Sequence, residues 1–396
     1  GKVTVDSASI VEMLQASLKV MDESIASNLR KDGLYNAYNI INYTADSVNV
    51  DLLYPMLEGQ VAVLSAGVLS PEQAVSLLDN LYASEMFRED QNTFMLYPDR
   101  DLARFENKNS ISSDRVNSNK LLKEMVEQGD RRIIEVDAQG AYHFNANFEN
   151  AGVLTAALED VASKDSAAVA DILATYEEVF NHQAFTGRSG TMFGYEGLGS
   201  IYWHMVSKLL LAVQENYFAA WELAPESQAT QKLAEYYYKV RAGIGFNKTP
   251  DVYGAFPTDP YSHTPKQAGA QQPGMTGQVK EEILTRFGEL GLLVKDGQIN
   301  FQPSLLKATE FLTENDEFEF INLNGEYETI FLAPKTLAFT YCQVPFVYEI
   351  TEADAGKVVV TMENGETVQS DALELDTQLS GAIFARSGGI KQVSVS

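Results

Sequence analysis

Gln278-Val279-Lys280-Glu281-Glu282-Ile283-Leu284-Thr285-Arg286-Phe287-Gly288-Glu289-Leu290-Gly291, with Gln298-Ile299-Asn300-Phe301-Gln302-Pro303 close behind it, is where this chain changes character. In the first run the apolar residues recur at helical steps. The pattern predicts a helix from Gln278 to Leu290 with Ile283, Leu284, Phe287 and Leu290 turned inward. After Gly291 the period drops to two, and Gln298 to Phe301 reads as a short strand ending at Pro303. Alternation continues through Leu337, Phe339 and Tyr341, then Phe346, Tyr348 and Ile350. Val358 to Met362, Asn364-Gly365 and Glu366 to Val368 form a hairpin signal, because Asn-Gly suits a tight primed turn. The expected division is residues 1–295, helical, and 296–396, a small antiparallel β-sandwich.

Upstream the helical period dominates. Ile10, Leu14, Leu18, Met21 and Ile25 give one buried face to a helix over 7–29. Met56 to Ala66 reads as another. Ser70-Pro71-Glu72-Gln73 opens a third, with Ser as N-cap, Pro at the first helical position and Gln at the capping-box position. Residues 131–144 read as a hairpin, and helices return at 149–163 and 165–182. The longest helix is expected from Gly197 to Ala220, striped by Leu198, Ile201, Met205, Leu209, Val213 and Tyr217; 226–242 follows. Helices joined by polar loops and then a β-domain predict a mainly α chain, an (α/α)6-like toroid followed by the sandwich. About ten helices are legible against the twelve of a full double ring. Either short helices are hidden in the loops or the chain starts partway round the ring; a fragment lacking an N-terminal part is the expectation, since its first residue is Gly rather than Met and its end reads as a cut strand.

The chain has 396 residues, and 29 basic against 55 acidic side chains give a formal net charge of −26. That balance excludes the basic face nonspecific nucleic-acid binding needs, and it disfavours anionic membrane surfaces. No apolar run reaches the roughly 18 residues of a membrane span. The one cysteine, Cys342, excludes an intrachain disulfide and a cysteine-rich zinc site. It is expected as a buried mid-strand residue, and a reducing cytoplasmic setting is favoured over the periplasm. His143, His182, His204 and His263 are too scattered for a metal site, and no metal or cofactor is expected.

Three segments concentrate polar, glycine and aromatic residues. In His143-Phe144-Asn145-Ala146-Asn147, an extended chain puts His143, Asn145 and Asn147 on one face. In 185–204, Arg188 and Tyr195 can grip hydroxyls or an anion. Glu196 lies at a helix start whose dipole favours its charged form; Trp203 and His204 follow. The third, 253–277, has Phe256, Asp259, Tyr261, His263, Gln271 and Gln272 in a long aperiodic stretch, and such stretches are usually functional. Rings that stack on pyranose faces beside amides and carboxylates that read hydroxyls compose a sugar site. Each segment also admits a plain loop or capping role. Glu58, inside an apolar helix, is a further carboxylate.

The order of segments, a glycine-rich loop entering the helix Gly274–Gly291, a short strand ending in proline and then a β-domain, resembles the C-terminal half of the cellobiose- and chitobiose-phosphorylase type of glycoside-active enzymes. The likeness is one of layout over residues 180–396. It implies an (α/α)6 barrel with a small β-sandwich, and no catalytic residue is carried over, because that group's Asp-rich acid motif is absent. The expected function is cleavage of a glycosidic bond in an oligosaccharide or polysaccharide, by hydrolysis or by phosphorolysis with inorganic phosphate as co-substrate. Asp259 is the candidate acid, desolvated by Phe256 and Tyr261, and Glu196 the candidate base. Arg188 and His263 would bind phosphate or a substrate carboxylate; Tyr195, Trp203, Tyr261, Gln271 and Gln272 would hold sugar, with His143, Asn145 and His204 as further contacts. The alternatives are a polysaccharide lyase using Tyr261 and His263, and a non-catalytic glycan-binding module.

Overall fold

The computed structural model describes residues 6–99, 105–161, 165–181, 201–244, 249, 263–264, 276–352 and 356–396. Among the described residues the buried apolar side chains gather in three clusters.

The first core gathers residues from 34–97 and 201–244, with Leu305. After α1 (Ser7–Ser27) and the hairpin β1 (Asn39–Tyr43) and β2 (Val48–Leu52) come α2 (Leu57–Ser65) and α3 (Pro71–Tyr82). The predicted capping box at Ser70 is formed, the Ser70 side chain accepting from Gln73 N and the Gln73 side chain from Ser70 N. A two-residue ribbon, β3 (Phe87–Arg88) with β4 (Thr93–Phe94), closes this half. The chain returns at β7 (Ile201–Tyr202), beside β4, and enters α9 (Trp203–Leu223), followed by α10 (Gln228–Ala242). After β8 (His263–Thr264), α11 (Thr276–Glu289) completes the set.

These helices do not make a toroid. In a double ring, paired helices surround an open centre; here α9 occupies the centre and packs against α2, α3, α10 and α11. Trp203, Val206, Leu209, Leu210, Val213, Tyr217 and Ala220 are buried on it. Its buried amides also satisfy its neighbours' backbones: Asn216 Nδ2 donates to Leu64 O and Gln214 Nε2 to Thr285 O, each at 2.8 Å. The predicted start of this helix also moves, since Ile201–Tyr202 is strand and the helix begins at Trp203. Helix α1 forms where its period predicts, but its stripe is not buried. Ile10, Leu14, Leu18 and Met21 are 43–60% exposed, and only Ile25 packs against the first core.

Between β4 and β7 a second body intervenes. It runs through α4 (Phe105–Lys108), α5 (Ser113–Ser118), α6 (Lys120–Gln128), the hairpin β5 (Ile134–Val136) and β6 (Tyr142–Phe144), α7 (Ala151–Val161) and α8 (Ser166–Phe180). It has its own core of Ile111, Val116, Leu122, Met125, Ile133, Ile134, Phe144, Leu154, Leu158, Ile172 and Tyr176. The chain thus leaves the first core and re-enters it at neighbouring strands, the arrangement that lets a module be spliced into a host fold.

The third body follows α11. The antiparallel hairpin β9 (Leu292–Lys295) and β10 (Gln298–Phe301) precedes a second hairpin, β11 (Asp316–Ile321) with β12 (Tyr327–Leu332). A five-stranded sheet then runs in the order β13 (Thr336–Tyr341), β14 (Val344–Glu349), β17 (Ile390–Val395), β15 (Val358–Met362), β16 (Thr367–Ser370). This corrects the antiparallel sandwich: β14 and β17 are parallel. The sheet's core is completed by Ile299 and Phe301 of β10 and by Ile383 of α12 (Thr377–Phe384), rather than by a second large sheet. Cys342 is not mid-strand either. It shares the β13–β14 turn with Gln343, both at positive φ of 51° and 68°. Gly291 is required where α11 ends. Its φ is +73°, and a Cβ there would stand 2.2 Å from the Gln302 carbonyl carbon.

Candidate functional site

Of the residues singled out by sequence, Asp259, Glu196, Arg188, Tyr195, Tyr261, Gln271 and Gln272 lie outside the described residues. Parts of their two segments are described, and the fold joins them. β7 pairs antiparallel with β8, Ile201 opposite Thr264 and Tyr202 opposite His263. The loop leading into α9 and the long aperiodic stretch leading into α11 therefore meet at one ribbon. Two segments some sixty residues apart are brought side by side where α9 begins.

Beyond that ribbon, Trp203 is a core residue of the first cluster, 1% exposed, and offers no ring face to solvent. His204, one residue on, meets Glu281 of α11. Its Nε2 stands 3.3 Å from Glu281 Oε2. The pair lacks hydrogen-bond alignment, and neither atom has another hydrogen-bond partner among the described residues. Burial and the nearby Lys208 hold His204 below the usual imidazole range, against the opposing pull of Glu281. A cavity of about 410 Å³ opens alongside, lined by Tyr38, Glu58, Ser65, Met205, Lys208 and Glu281 among others. Tyr38 donates its hydroxyl to Glu58 Oε2 at 2.9 Å.

About two helical turns farther along α11 lies a second polar cluster. Glu289, its side chain 1% exposed, accepts from Tyr237 Oη at 2.7 Å and from Arg286 Nη1 at 2.7 Å, with Arg241 Nε at 3.3 Å. Arg286 also reaches Glu310 at 2.7 Å, tying α11 to the segment beyond β10. Burial raises the Glu289 carboxyl, while Tyr237 and the two guanidiniums pull it down. With all these donors occupied, this cluster fastens helices together.

His143 and Asn145 belong to the spliced-in body, not to the ribbon. His143 uses both ring nitrogens as donors, Nδ1–H to Asn109 O and Nε2–H to Asp137 Oδ2, the latter at 3.2 Å. Two acceptors on one imidazole favour the cation, and its pKa is raised, chiefly by the Asn109 carbonyl and then by Asp137. Asn145 donates from Nδ2 to Arg131 O at 3.0 Å and accepts from Asn147 N at the same distance, closing the turn after β6. An open recess of about 550 Å³ lies here between Asn109, Arg131, Glu135, Asp137 and His143.

The sequence reading missed Glu281 and Glu289. They form, with Thr285, a buried row at steps of four on α11, while the expected inward residues Ile283 and Leu284 are half exposed. The polar row was visible as spacing. Its partners, Tyr237, Arg241 and His204, were not, because they come from other helices.

Residues 102–183 match the family model of the GH149 phosphorylase insertion domain 2. The matched residues span the whole of the body with its own core between β4 and β7. No curated protein matches the chain. The match supports a relationship to glycoside phosphorylases rather than to the C-terminal half of cellobiose or chitobiose phosphorylases, and over 102–183, roughly a fifth of its length, the chain is similar to a phosphorylase insertion domain.

Proposed function

We propose that this chain is part of a glycoside phosphorylase, cleaving a glycosidic bond with inorganic phosphate as the acceptor. The observation that carries the reading is the coincidence of the match with a self-cored body spliced between neighbouring strands of a host. In phosphorolysis a phosphate oxygen bonds to the anomeric carbon as the bond from that carbon to the leaving oxygen breaks. A carboxylic acid gives its proton to that oxygen, and the products are a sugar 1-phosphate and a shortened glycan. Asp259 is proposed as the acid. The cation needs of phosphate fall to Arg188 and His263, the latter on β8 at the ribbon where the two polar segments meet. Glu196 would be the base only in a hydrolase, since phosphate is itself the nucleophile here.

The reverse reaction tests this. Sugar 1-phosphates are offered with mono- and disaccharide acceptors, and release of inorganic phosphate is followed. Acceptor-dependent release is expected, at least a hundredfold slower in Asp259→Asn, about the effect of losing a general acid. Release that needs no acceptor, or full activity in Asp259→Asn, would contradict the reading or the assignment respectively.

A further inference from the structure

We infer that α1 and the β1–β2 hairpin form the interface of a two-fold dimer, buried against the same two elements of a second copy of this chain. On α1, Ile10, Val11, Leu14, Leu18 and Met21, with Met13 and Val20 at the border of their stripe, are 43–61% exposed, and no residue of the 21-residue helix is buried. The hairpin repeats this. Its register sets Ile41 opposite Val50, Tyr43 opposite Val48 and Asn39 opposite Leu52. Alternation along each strand therefore puts these five apolar side chains on one face, where they are 54–77% exposed. The two elements leave the first core at one place, where Ile25 is packed and Asn39 Nδ2 donates to Asn28 Oδ1 at 2.9 Å. Helices in proteins owe most of their stability to packing of an amphipathic face, and a lone two-stranded hairpin is marginal in water. Both elements call for a cover.

The area fits a second copy. At roughly 60–120 Å² of apolar surface per side chain of this size, the twelve residues offer on the order of 600 Å² from each protomer. A standard interface takes about 800 Å² per partner, a little over half of it apolar. The face is also self-complementary, as a two-fold interface must be. Val11, Leu14, Leu18 and Met21 occupy successive a and d positions of a heptad. Antiparallel pairing sets Val11 over Met21 and Leu14 over Leu18 of the second copy. Asp22, the one charge on the flanking e and g positions of α1, then falls opposite Ala8. Glu12 and the Lys19–Glu23 pair, 3.8 Å apart, lie on the outer side. No like charges meet across the seam. The apolar face of the hairpin is uncharged as well, Asp51 standing on its other face opposite Ile40. A basic partner would find no charge in this face to pair with, and the acidic flanks disfavour an anionic lipid surface.

The inference is independent of the reaction proposed above, and sedimentation velocity on the whole chain tests it. A monomer–dimer equilibrium in the micromolar range is expected. Association should tighten from about 50 to 300 mM salt, because screening weakens the repulsion between two chains of net charge −26 while leaving apolar contact intact. Two paired variants are compared with the parent. Leu14→Glu with Leu18→Glu puts charge into the helix seam. Tyr43→Thr with Val50→Thr strips the hairpin face while keeping β propensity. Each should raise the dissociation constant about tenfold or more. Far-UV dichroism and the tryptophan-detected urea midpoint should not change, since none of these four residues packs in the first core. A chain that stays monomeric at about 100 µM overturns the inference and leaves this face to another segment or another protein. So does a dimer that either variant leaves intact, or one that added salt dissociates.

Discussion

Replacing Glu289 by Gln keeps the shape of the side chain and removes its charge. In the parent chain that carboxylate lies between two guanidiniums and a tyrosine hydroxyl, with 1% of its side chain exposed. Removing one partner of a fully buried ion pair costs about 3–5 kcal/mol, because the other charge is left uncompensated. Arg286 and Arg241 retain 39% and 28% side-chain exposure, so each can turn partly toward water, and we expect about 2–4 kcal/mol. The assay is simplified by the chain's two tryptophans. Trp203 is buried in the first core and Trp221 packs against it, so tryptophan emission reports on this core alone. In urea, at an m of about 2 kcal/mol/M, the midpoint should fall by about 1–2 M with m unchanged. Tyr237→Phe, which deletes one bond to the charged acceptor, should cost less, about 1.5 kcal/mol. A Glu289→Gln midpoint within about 0.3 M of the parent would show that the cluster contributes little and would refute the reasoning.

His143 should titrate above the ordinary imidazole value, and NMR of its ring protons measures this. The sign follows from linkage. A raised folded pKa gives stability that is complete below the unfolded value, near 6.5, and is lost as pH rises through the folded one. Hydrogen exchange in 134–144 should therefore lose protection from pH 6 to 8 relative to His143→Gln; parallel pH dependence would count against it. Gly291→Ala combines a left-handed φ with a backbone clash, and should lower stability by about 3 kcal/mol in thermal melts followed by near-UV dichroism. Replacing 102–183 by a Gly/Ser linker should leave the tryptophan-detected midpoint nearly unchanged, since β4 and β7 already adjoin; a collapse of that transition would mean the body supports the host.

Local structure was legible because its causes are local. The Ser70 capping box, the Asn364-Gly365 turn and the period of α9 each depend on residues within a few positions. What covers an apolar stripe is not a local property. The stripes of α1 and α9 read alike in sequence, yet α9 is the centre of a core and α1 is exposed over most of its stripe. The toroid failed at this step, since counting amphipathic helices cannot tell a ring from helices gathered around one of their number. On α11 the reading chose Ile283 and Leu284 over the row of Glu281, Thr285 and Glu289. A buried carboxylate is tolerable only with partners, and two of the partners of Glu289, Tyr237 and Arg241, lie about fifty residues upstream on α10. Of the site, the reading found the two polar segments and His204, but not that β7 and β8 would join them, nor that Lys208 and Glu281 would face one cavity. The spliced-in body was legible as helices and a hairpin, not as a unit with its own core.

The most direct measurement is mass analysis of products formed from a panel of α- and β-linked oligosaccharides, incubated with this chain in the presence and absence of inorganic phosphate. A sugar 1-phosphate should appear together with a glycan one unit shorter, only when phosphate is present. Cleavage that proceeds equally without phosphate and gives free sugar, or a product carrying a new double bond, would contradict a phosphorylase.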